Sequence, residues 1–156
     1  MGFFSTSVGY FAFTALHVAC FALALAVCGL YGQDLDRARK AGSYSDSKWV
    51  YAVVVGALSA VTCLVYFVPV LLRHSGIVGA VWNFLLFILW IALFGVFGKL
   101  FIHENPEGNS AIQRMKNAVW VDLVSALLWL FSSVATAIYW WKHREHRSLF
   151  TGRARV

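Results

Sequence analysis

The sequence has 156 residues, of which 60% are hydrophobic and only 13% charged, with a net charge of +6. A soluble domain is about 45–50% apolar and about 25% charged, so a water-soluble globule is excluded, and the length suits one domain rather than two. The positive charge does not indicate nucleic acid. The basic residues cluster at the ends of apolar segments, where anionic head groups lie, and form no stripe along a soluble face.

A helix that crosses a hydrocarbon layer about 30 Å thick needs roughly 20 apolar residues. The first such stretch, about 8–31, carries no Asp, Glu, Lys or Arg. It lacks a basic leader and exceeds the roughly 7–15 apolar residues of a signal peptide core, so it reads as a retained span. A polar link, about 32–48, leads to the second stretch, about 49–72. The four residues 73–76, Arg-His-Ser-Gly, predict a tight antiparallel hairpin into the third stretch, about 77–98. The next link, about 99–117, contains Asn105-Pro106 and Gly108-Asn109, both turn signals. The fourth stretch, about 118–141, holds one charge, Asp122, and a basic tail, 142–156, follows it. The runs are too long for barrel strands and do not alternate as strands do, so they must be helices, which satisfy their own backbone in lipid. The sequence therefore predicts an all-α membrane protein: a four-transmembrane-helix bundle, antiparallel and up-down, forming one domain over 1–156.

Aromatic residues mark the expected boundaries. Trp49, Tyr51 and Trp120 belong to one side, and Tyr10, Trp82, Tyr139, Trp140 and Trp141 to the other. Four spans place both termini on one side. Arg73 and the tail residues Lys142, Arg144, Arg147, Arg153 and Arg155 fall on that side. Arg37, Arg39, Lys40, Lys48, Lys99, Arg114 and Lys116 fall on the other. The counts nearly balance, so it is the density of the tail cluster that inclines the termini to the cytoplasm.

Few residues offer chemistry. Asp122, about a turn into its expected helix, should face the bundle and pair with Lys99 at the same depth, helped by the helix N-terminus. His17 in the first span and Asn83 in the third can hydrogen-bond across helices as a packing contact. A haem needs a second membrane-embedded histidine, and His74, His103, His143 and His146 all fall in links or tail. Cys20, Cys28 and Cys63 lie inside apolar runs and read as packing residues. Small residues recur every four positions at Ala15/Ala19, Ala22/Ala26 and Ala52/Gly56/Ala60, a spacing that lets helices approach closely, either within the bundle or against another helix. The tail cations Lys142, Arg144, Arg147, Arg153 and Arg155 follow an aromatic anchor, which suits contact with anionic lipid as well as a stop-transfer signal.

Four helices, a short middle link, two longer links opposite and a small basic tail resemble the layout of the MARVEL family. The stretch 117–137, with Asp122, Ser125, Trp129 and Ser132, resembles the last helix of fungal MARVEL-domain proteins. The resemblance implies cytoplasmic termini, the plasma membrane, and a role in membrane organisation or traffic rather than catalysis, with no catalytic residue to carry over. No Walker loop, HExxH, GxSxG or CxxC is present. The expectation is a non-enzymatic organiser of lipid microdomains or of membrane traffic, without cofactor or metal. Its partners would be membrane lipids and further copies of itself or a larger membrane protein. The alternative is a small accessory subunit of a transporter or pump, and a further one, ranked below it, is a channel or proton-coupled carrier that uses Asp122 and His17.

Overall fold

The computed structural model describes residues 2–43, 47–105 and 107–148, with side chains at these positions except 2–8, 69–75 and 143–148. It contains four helices, α1 (Gly2–Lys40), α2 (Ser47–Tyr66), α3 (Pro69–Phe101) and α4 (Ser110–Ser148), and no strand among the described residues. Each includes a stretch long and apolar enough to span a bilayer: Gly9–Lys40, Ser47–Tyr66, Gly76–Phe101 and Ser110–Lys142. The chain is thus a multi-pass, all-α bundle. Helix α1 packs on α2 and α4, and α3 packs on the same two, so the helices form a ring in chain order; backbones on the diagonals do not meet among the described residues.

The helix ends differ from the apolar runs in instructive ways. Helix α1 continues past Tyr31 for nine residues, because Gln33, Leu35 and residues 37–40 are good helix formers and Asp34 and Asp36 form ion pairs along the helix. Asp36 pairs with Lys40 at 2.6 Å and Asp34 with Arg37 at 3.5 Å, and the three basic residues of the last turn suit the helix dipole. The helix stops where Gly42 takes φ 64°, closing a Schellman turn in which Ser43 N–H donates to Ala38 and Gly42 N–H to Arg39. Helix α4 likewise starts eight residues before its apolar run. Asn109 caps it, its side-chain oxygen accepting the Ala111 N–H at 3.0 Å.

The hairpin between α2 and α3 is a correction. Helix α2 ends at Tyr66, not at 72, because Pro69 has no N–H to continue it. Val68, held extended ahead of the proline (φ −89°, ψ 105°), makes the turn, and Pro69 opens the next helix. The expected loop 73–76 is helical up to Gly76, whose φ of 42° and ψ of −131° put a kink into α3. The indole of Trp140 covers this glycine, 3.4 Å from where a Cβ would stand.

The core follows the helical repeat. On α2, Ala52, Val55, Gly56, Ser59, Thr62, Cys63 and Tyr66 are buried. On α4 the inward stripe is Met115, Ala118, Val119, Asp122, Ser125, Ala126, Trp129, Ser132 and Ser133. Outward faces carry large apolar chains such as Val61, Phe131 and Ile138. This is the arrangement for a bilayer: lipid receives the apolar faces, and polar side chains turn to one another.

Candidate functional site

The notable chemistry of the bundle is a pair of buried polar clusters, one toward each end. The first, at the end shared by the termini, takes a side chain from every helix: His17 from α1, Tyr66 from α2, Asn83 from α3, and Ser132 with Thr136 from α4. The Tyr66 hydroxyl donates to Asn83 Oδ1 at 2.8 Å. Asn83 Nδ2 donates to Ser132 Oγ at 3.0 Å and approaches Thr136 Oγ1 at 3.5 Å. His17 Nδ1 lies 2.8 Å from the Phe13 carbonyl, which can only accept, so Nδ1 carries a hydrogen. With Nδ1–H fixed, His17 Nε2 accepts from the Ser132 hydroxyl at 3.2 Å. The donors thus run one way, from Tyr66 through Asn83, Ser132 and His17 to a backbone carbonyl.

Rings seal this cluster. Phe13 lies 4.1 Å from the His17 ring, and Tyr66 and Trp129 meet it edge-on at 5.0 and 5.7 Å. His17 and Asn83, expected to bond across helices, are joined through Ser132 rather than directly. Lipid offers no competing partners, although such bonds average only about 0.6 kcal/mol each in membrane bundles.

The second cluster centres on Asp122, which is fully buried as expected. Its partner is not Lys99. The Tyr31 hydroxyl donates to Asp122 Oδ2 at 2.6 Å, while Lys99 is exposed two residues beyond the buried Phe97, where its long chain can reach toward head groups. The expected help from a helix N-terminus is also absent. Helix α4 begins at Ser110, so Asp122 stands more than three turns inside, beyond the reach of the terminal dipole. Tyr31 packs on Phe97 at 4.5 Å and on Trp49 at 5.7 Å, and these rings shield the pair. Asp122 Oδ1 has no hydrogen-bond partner.

One turn farther along α1, Arg114 of α4 clasps the same helix. Its Nη2 donates to Asp34 Oδ1 at 2.6 Å and its Nη1 to Gln33 at 3.3 Å. The α1–α4 seam is therefore cross-linked at three levels, by Arg114–Asp34, Asp122–Tyr31 and Ser132–His17.

The seam between α2 and α3 is built from polar-tipped aromatic side chains. Tyr51 donates to the Leu89 carbonyl at 2.9 Å, Trp90 to Ser59 at 2.8 Å, and Trp82 to Thr62 at 3.1 Å. Sequence reasoning missed Tyr31, Ser59, Thr62, Tyr66 and Thr136 as polar partners. A usable signal existed: Ser59, Thr62 and Tyr66 lie on one face of α2, in phase with Ala52 and Gly56.

The small-residue spacings divide into two kinds. Ala52 and Gly56 are buried, Gly56 against α1. A Cβ on Gly56 would stand 2.7 Å from Cys28 Sγ and 3.1 Å from the Ala24 carbonyl, so α1 and α2 touch backbone to backbone there. Ala60 is half-buried at the edge of this seam. Ala15, Ala19, Ala22 and Ala26 instead face outward, and Gly29 continues their line with nothing within 4 Å of its virtual Cβ.

Among the tail cations, Lys142 is exposed. Arg144 and Arg147 lie on the α4 backbone with their side chains outside the described residues, and Arg153 and Arg155 lie outside the described residues altogether. Among the described residues, no three His, Cys, Asp or Glu side chains come together as a metal-binding group. No protein-family model, curated protein or solved structure matches this chain.

Proposed function

We propose that this chain is a non-enzymatic organiser of the membrane, a MARVEL-like protein of the plasma membrane with cytoplasmic termini, acting as an oligomer on surrounding lipids and neighbouring helices. The observation that carries this reading is the division of labour across each helix. Most buried polar side chains bond one another or a backbone carbonyl inside the bundle, so the surface it offers its surroundings is one for packing. Outward it presents large apolar chains, interrupted on α1 by the line Ala15, Ala19, Ala22, Ala26 and Gly29. A line of small residues lets another helix approach closely in lipid, which supports the oligomeric part of the proposal. The exposed Lys142, with the basic residues after it, suits attraction to anionic lipid at about 1 kcal/mol per cation.

The test is capture of the tagged full chain from its native membrane in mild detergent, with mass measurement of the intact assembly. A homomeric assembly that retains lipid is expected, and Ala19→Leu with Ala22→Leu should break it down to monomers that remain folded. Recovery in one large transport complex at fixed stoichiometry would replace this reading with that of an accessory subunit. Unchanged assembly in the double variant would remove α1 as the contact.

A further inference from the structure

Asp122 is wholly buried, yet it receives a single hydrogen bond, from Tyr31 to Oδ2, and its Oδ1 is left without a partner. No described cation neutralises it from any helix. On α4, Arg114 lies eight residues earlier, about 12 Å along the axis, and is engaged by Asp34 and Gln33, while Lys116 donates to the Glu104 carbonyl. On α3, Lys99 is exposed. On α1, Tyr31 is the group in contact, and Asp34 is held by Arg114 and Arg37. On α2, across the diagonal, Lys48 is exposed and Trp49 packs on the Tyr31 ring.

A bare carboxylate is not sustained in a medium of low dielectric; it is paired or neutralised. The chain's described residues supply no partner charge, so the positive charge must come from outside. An alkali ion would need a shell of several oxygens, and among the described residues no group of three or more His, Cys, Asp or Glu side chains gathers to build one. A proton needs one oxygen, and Oδ1 is the oxygen left over.

We propose that Asp122 is an intramembrane proton-binding site. A hydronium ion at the Asp34–Arg114 end of the bundle gives up its proton, an O–H bond forms at Asp122 Oδ1, and water is released; no further reactant is required. The Tyr31 hydroxyl continues to donate to Oδ2 throughout. Tyr31 precedes Asp34 by three residues, about 4.5 Å along α1, so the path from the aqueous edge is short. Occupancy of the site decides whether the α1–α4 seam encloses a neutral, hydrogen-bonded pair or a buried charge without a counter-charge, and so couples the closure of that seam to proton uptake. This goes beyond the organising role and does not depend on it.

Infrared spectroscopy of the full chain in lipid vesicles near neutral pH tests the assignment. The wild type should show a carboxylic-acid carbonyl band that shifts in heavy water and on carbon-13 labelling of aspartate. The band should vanish in Asp122→Asn and move in Tyr31→Phe. In Asp122→Glu it should persist and ignore aspartate labelling, which assigns it even if the asparagine variant fails to fold. Absence of the band in the wild type overturns the proposal, as does its survival in a folded Asp122→Asn. Loss of the band when sodium replaces choline overturns it in favour of an alkali cation.

Discussion

The two buried polar clusters are made of similar groups and reach opposite outcomes. Around Asn83, the donors run unbroken from Tyr66 to the Phe13 carbonyl and all four helices contribute, so the cluster acts as a clamp, although the indole N–H of the adjoining Trp129 has no partner. Around Asp122, two helices contribute, one bond forms, and one carboxyl oxygen remains open. In lipid a satisfied network fixes geometry, whereas an unsatisfied buried atom calls for an explanation. The difference sets a closed network beside an open one within a single bundle.

The comparison can be broken by substitution, with unfolding of the chain in mixed micelles as the measurement. Asn83→Leu removes links to Tyr66, Ser132 and Thr136 at once and should cost about 2 kcal/mol, from roughly 0.6 kcal/mol for each lost bond plus the groups left unpaired. Tyr31→Phe removes one bond and should cost only about 0.6 kcal/mol. The reverse order would mean that the Asp122 cluster, not the Asn83 cluster, holds the helices together. Lys99→Ala should change stability by less than about 0.5 kcal/mol, as for a surface site, because the lysine does not meet Asp122. A loss as large as that of Asn83→Leu would restore the ion pair that the geometry denies.

What the sequence made legible follows from what hydropathy measures. Four apolar runs specify four spans, since nothing but helices can hide a backbone in lipid. The same runs misplace the helix ends, because they report the thickness of the bilayer rather than the extent of the helix. Helix α1, at 39 residues, is about 58 Å long, and its final turns are written in Asp36–Lys40 pairing and in Gly42, not in hydrophobicity. Pro69 stood in plain view and ended α2, yet its apolar neighbours concealed the break. Asp122, His17 and Asn83 were conspicuous as polar residues in oily surroundings. Their partners were not, because tyrosine, serine and threonine suit either environment, and charge alone pointed Asp122 to Lys99 when a neutral hydroxyl lay closer to hand.

The seam between α1 and α4 joins residues far apart in the chain. Tyr31 and Asp122 are separated by 91 positions, and His17 and Ser132 by 115. During synthesis the first helix enters the bilayer long before the last has been made, and its imidazole ring waits in fat without Ser132. Threading of the fourth helix supplies the missing hydroxyl and delivers the carboxyl to its tyrosine in one event. A truncated or misthreaded chain leaves both groups in the bilayer without these partners.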